Sequence, residues 1–80
     1  MLVRALFFAA YREWAGVDSI DAELDSGATV ADLVAAVRRS PGLARLPEAP
    51  VVAVNEEYAR LDAPLAEGDE VAFLPPVSGG

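Results

Sequence analysis

The chain has 80 residues and a formal charge of −7, with six basic residues against thirteen acidic ones; all six are arginine, and histidine and cysteine are absent. This composition excludes imidazole general bases, thiolate nucleophiles, Cys- or His-ligated zinc and disulfides, so no metal site is expected. An acidic chain of sequence pI about 4.2 is repelled by nucleic-acid phosphates and anionic membranes, which leaves proteins with basic surfaces as the expected partners.

At this length a single small domain is expected, and 54% hydrophobic content places it among soluble globular chains. The opening MLVRALFFA has an arginine inside an apolar stretch rather than a signal-peptide pattern, and no apolar run approaches the ~20 residues that span a bilayer, so a cytoplasmic location is predicted. Residues 2–9, LVRALFFA, read as a first strand, central and buried on both faces. Residues 10–15 favour a short helix closed by Gly16. A second strand follows over 18–24, where Ile20, Ala22 and Leu24 alternate with Asp21 and Glu23.

Thr29 with Asp32 fits a capping box, and Val30, Leu33, Val34 and Val37 at i, i+3, i+4 and i+7 define an amphipathic helix. That helix stops at Ser40-Pro41-Gly42, after Arg38 and Arg39. Segment 43–50 is irregular by its two prolines. Val51 to Val54 form a third strand, a tight turn near Asn55-Glu56 returns a short edge strand from Glu57, and Gly68-Asp69 precedes a last strand, Glu70 to Leu74. The plan is α+β, with a mixed sheet packed on one main helix.

The tail then runs Pro75, Pro76, Val77, Ser78, Gly79, Gly80. Two prolines hold it extended and out of the sheet, and at ~3.1–3.3 Å per residue six residues reach about 18–20 Å. The glycines lack Cβ atoms and pass a narrow channel. Gly-rich ends are commonly inert; here the pair follows a Pro-Pro stalk launched directly from a strand, in a domain without catalytic side chains. The division expected is a domain over 1–74 and a stalk over 75–80.

The segments LFFAAYRE (6–13), VVAVNEE (51–57) and LAEGDEVAFLPPVSGG (65–80) resemble the small subunit of molybdopterin synthase, a ubiquitin-like sulfur carrier, over essentially the whole chain. The ending FLPPVSGG is specific to that family, whereas GDEV and Gly-Gly are shared with thiamine-pathway carriers. Leu74 stands where an aromatic is often found, and Ser78 replaces another small residue. The resemblance implies a β-grasp fold of about five strands whose Gly80 carboxylate is adenylated by an E1-like activating enzyme with ATP, then converted to a thiocarboxylate by a persulfide donor. The thiocarboxylate then delivers sulfur to a cyclic pyranopterin phosphate inside the large subunit, in a heterotetramer of two large and two small subunits. The chain itself is then no enzyme and binds no cofactor. Carriers for thiamine or tRNA thiolation, a ubiquitin-like modifier conjugated through Gly80, and a passive β-grasp interaction module are the competing readings.

Candidate partner-binding residues are Phe7, Leu74, Phe73 and Arg39; strand alternation favours Phe7 and Leu74 for the interface and Phe73 for the core. Trp14 reads as a lid on the core. Residues 41–80 carry two arginines and seven acids, so the tail-bearing half is the more acidic one and is expected to meet basic partner surfaces.

Overall fold

Arg4 sets the phase of the first strand. In the computed structural model, which describes residues 1–76, β1 (Leu2–Phe7) buries Val3, Ala5 and Phe7 on one face and turns Arg4 to the other, where its Nε lies 3.2 Å from the Asp21 carboxylate. A guanidinium stays with water or a carboxylate, so residues 2, 4 and 6 share the open face by the two-residue period of a strand. Burial on both faces, as expected from the apolar run, is therefore corrected: only one face of β1 is covered. The helix α1 (Ala9–Ala15) follows, closed by Gly16 in the left-handed conformation at φ 76°, whose N–H donates to the Arg12 carbonyl.

Beyond β2 (Ser19–Glu23), α2 (Val30–Val37) starts at the predicted capping box: the Thr29 N–H donates to Asp32 Oδ2 at 2.9 Å and the Asp32 N–H to Thr29 Oγ1 at 3.4 Å. Val30, Leu33, Val34 and Val37 are all buried, and each apolar side chain so covered contributes about 1.5–3 kcal/mol. The loop after α2 has no regular element, as expected, yet it delivers Leu43 and Leu46 into the core.

The chain completes the sheet with β3 (Val51–Val54), β4 (Glu57–Ala59) and β5 (Glu70–Leu74), in the order β2-β1-β5-β3-β4. Among the described residues only the β1–β5 pairing is parallel; β1–β2, β3–β4 and β3–β5 are antiparallel. The inward residues of β1, β5 and β3 (Val3, Ala5, Phe7, Val71, Phe73, Val52) pack against the apolar stripe of α2. Between β3 and β4, Asn55 and Glu56 both take positive φ, 49° and 74°, the conformation of a two-residue hairpin turn matched to the strand twist.

Candidate functional site

Phe7 and Phe73 occupy paired rungs of the parallel β1–β5 ladder, and Leu74 pairs with Val51 on the other side. The last rung of β5 therefore lies at the end of the sheet where α1 begins and β3 starts. Here the chain leaves through Pro75, half-buried, and Pro76, exposed. Val77, Ser78, Gly79 and Gly80, the expected threading and reactive residues, lie outside the described residues.

The face of the sheet opposite α2 divides into two parts. Nearest the tail it is apolar: Leu6, Ala72, Ala53 and Tyr58 fall on one row across β1, β5, β3 and β4, and Leu74 and Val51 form the next row outward. Tyr58 is 81% exposed, Val51 52% and Phe8, which continues the outward alternation of β1, 47%. Farther from the tail the face is polar, with Arg4 between Asp21 at 3.2 Å and Glu70 at 4.0 Å. A cluster of exposed apolar side chains rimmed by charges is the signature of a protein-docking surface.

Burial removes Phe7 and Phe73 from the partner-binding candidates, Phe7 against the expectation and Phe73 in the core as strand alternation favours. Phe7 is 2% exposed and its ring packs on Phe73, 0% exposed, with centroids 5.4 Å apart, so neither presents a side chain to a partner. The outward aromatic is Phe8. The double Phe carried no phase of its own; Arg4, four residues earlier on the outward face, was the signal that identifies Phe8. Leu74 is half-buried on the open face beside Val51, and Arg39 is exposed at the end of α2. Trp14 packs against the core, its ring 5.3 Å from Tyr11 and covered by the Arg45 guanidinium at 4.4 Å.

Asp69 and its neighbour Glu70 have structural work. Asp69 accepts from Asn55 Nδ2 at 2.9 Å and from the Ala66 N–H at 2.8 Å, and Asn55 Oδ1 accepts from the Glu70 N–H, bracing the two turns at the far end of β3 and β5. Burial raises the Tyr11 phenol above its ordinary pKa of 10.0. No group of three or more metal-ligating side chains occurs among the described residues, and no helix among them is long and apolar enough to cross a membrane.

Charge does not follow the halves of the chain. Six of the seven acids of the later half, Glu56, Glu57, Asp62, Glu67, Asp69 and Glu70, sit toward the end of the sheet away from the tail, because β5 runs from that acidic turn up to Leu74. The end from which the tail leaves carries Arg12, Arg38, Arg39 and Arg45 with Glu13, Asp18 and Glu48. The more acidic half of the chain therefore does not gather its acids at the end that bears the tail.

The model of the ThiS family matches residues 5–80. The chain belongs to the ThiS family. Among curated ThiS-like relatives it is 42% identical over 83 residues to the molybdopterin synthase sulfur carrier subunit of Chlamydomonas reinhardtii, with 100% of both chains covered. The crystal structure of small archaeal modifier protein 1 from Haloferax volcanii superposes with a TM-score of 0.84 at 29% identity, covering 95% of this chain and 98% of that one. A chain of the complex of subunits 1 and 2 of the molybdopterin-converting factor from Helicobacter pylori is also similar, with a TM-score of 0.73, 26% identity and full coverage of both chains. The sheet order and the single main helix are those of the ubiquitin-like β-grasp fold found in this family.

Proposed function

We propose that the protein is the sulfur carrier of molybdenum cofactor biosynthesis, the small, non-catalytic subunit of molybdopterin synthase. Likeness to sulfur carrier subunits across the full length of the chain, through a FLPPVSGG ending, is the observation that carries this reading. A carboxylate resists nucleophiles at neutral pH. An E1-like enzyme therefore adenylates Gly80 with ATP, releasing pyrophosphate; the outer sulfur of a persulfide displaces AMP to give an acyl disulfide, and a second thiol takes the inner sulfur as a disulfide, freeing a thiocarboxylate that is a soft nucleophile for a cyclic pyranopterin phosphate. The catalytic side chains belong to the large subunit, in a heterotetramer of two large and two small subunits. The apolar face formed by Phe8, Leu74, Val51, Ala72 and Tyr58 is the surface proposed to seat that subunit while Pro75 to Gly80 enter its pocket. Chemistry at Gly80 needs no group from the domain, which matches a composition without His or Cys.

Intact mass spectrometry of the protein isolated from its own cells tests this reading. A terminal oxygen-to-sulfur exchange supports it; an unchanged terminus under conditions of active cofactor synthesis overturns it. Deleting Gly80 is expected to abolish molybdopterin formation while binding of the large subunit persists. The likeness to the Haloferax modifier protein supports a second reading, conjugation of Gly80 to lysines of other proteins. Covalent adducts in the same mass experiment separate the two.

A further inference from the structure

We propose that Arg12, Arg38, Arg39 and Arg45, gathered around the root of the tail, form a docking surface for an acidic rim on the activating enzyme that receives the tail, so that the chain approaches tail end first. This rests on the sulfur-carrier reading and names the surface that orients delivery of its tail. Each arginine is placed at that end by a different part of the fold. Arg12 Nη1 lies 3.7 Å from the carboxylate of Asp18, whose backbone carbonyl accepts the Phe7 N–H at 2.9 Å, beside the last rung of β1. Arg45 stacks at 4.4 Å on Trp14 of α1, which leaves the N–H edge of its guanidinium outside the ring contact. Arg38 Nη1 reaches Glu48 at 3.9 Å, just before β3 begins opposite Leu74. Its Nε is buried without a hydrogen-bond partner among the described residues. Arg39 is exposed and has no ion pair among them.

Four arginines thus stand against three acids at this end; Asp18 and Glu48 engage Arg12 and Arg38, which leaves Arg39 and Arg45 against Glu13. The other ten acids stand with Arg4 and Arg60 toward the far end of the sheet and the first turn of α2. Asp21 and Glu70 stand on the Arg4 rung, three residues from Phe7, or about 10 Å at ~3.3 Å per residue, and the acids of the turns beyond lie farther off. At roughly one Debye length or more the far acids are screened in part at the tail root, so the surplus arginine charge is felt there despite the overall charge of −7. Arg12 and Arg38 meet separate carboxylates rather than converging on one point. A spread of guanidiniums of this kind suits a row of partner carboxylates better than a single phosphate.

The test measures association of the full-length chain with the adenylating enzyme of the same organism, by stopped flow, for the unsubstituted protein, Arg39→Glu and Arg60→Glu. Arg60 lies at the far end in an exposed pair with Asp62, so both substitutions change net charge equally. Circular dichroism checks that each variant is folded. Arg39→Glu is expected to slow association about three- to tenfold at physiological salt, and Arg60→Glu to leave it near the original rate. Equal effects of the two substitutions, or none from Arg39→Glu, would overturn the proposal. An effect appearing only when the enzyme holds ATP assigns the arginines to the nucleotide and overturns the carboxylate partner. Slowed association by Arg39→Glu without any later mass change at Gly80 upholds the docking surface while rejecting the sulfur-carrier reading. Failure of the unsubstituted chain to bind at all rejects both.

Discussion

The rings of Phe7 and Phe73 lie 5.4 Å apart and inclined at 42°, on paired rungs of the parallel strands β1 and β5, one residue before the open-face positions Phe8 and Leu74. This pair anchors the end of the sheet from inside, while its sequence neighbours present apolar surface outside. Phe7→Ala is expected to destabilise the fold by about 3–5 kcal/mol, as truncation of a buried aromatic does. Phe8→Ala is expected to change stability little and to weaken binding of the large subunit roughly tenfold. Urea denaturation and titration calorimetry of both variants check the contrast; a destabilised Phe8 variant or a well-folded Phe7 variant would reverse the assignment of the two rings.

Glu56 is held at φ 74°, where a side chain is strained and glycine is not. Glu56→Gly is expected to raise stability by about 0.5–1 kcal/mol through the turn alone, since Asn55-Gly is the preferred pair for a turn of this type. An upward shift of the thermal midpoint measures it.

Gly42, at φ 86°, approaches the Trp14 carbonyl so closely that a Cβ would collide with backbone. Gly42→Ala therefore combines conformational strain with displacement of the loop that carries Leu43 and Leu46. A loss exceeding the ~1 kcal/mol of left-handed strain is expected, and Gly16→Ala, at similar φ with open space around it, calibrates the strain alone. Equal losses for the two would show that the loop moves without resistance.

Tyr11 supplies a pH dependence. Burial raises its pKa above 10.0, so the folded state holds the phenolic proton more tightly than the unfolded chain does. Its contribution to stability is complete below the unfolded value and is lost as pH rises through 10 toward the folded value. Tyr11→Phe is expected to flatten the decline of stability above pH 10, measured as denaturation midpoints across that range; an unchanged decline would assign it elsewhere.

Much of the architecture was legible because local patterns and the tertiary fold agree. The stripe Val30, Leu33, Val34, Val37 is buried as its spacing requires, and Thr29 with Asp32 closes the box that their spacing announces. The left-handed Gly16 ends α1 where expected. What was hidden depends on relations between distant segments. Leu43 and Leu46 sit in an irregular loop whose prolines give no period from which burial can be read. The phase of β1 is ambiguous among apolar neighbours unless Arg4 is given priority. The clustering of Arg12 with Arg38, Arg39 and Arg45 follows from strand direction, which a count of charges along the chain does not contain.

Because β5 lies between β1 and β3, synthesis on the ribosome reaches the strand that joins the two parts of the sheet after every other element has been made. A chain interrupted before residue 70 leaves β1 and β3 as bare edges and has neither Phe73 to close the interior nor Leu74 and Ala72 to complete the open face. Folding and possession of the stalk are thus linked in the order of translation. A chain ended before β5 therefore lacks the closed sheet as well as the stalk, whereas one ended after Leu74 keeps every described strand and loses only the stalk.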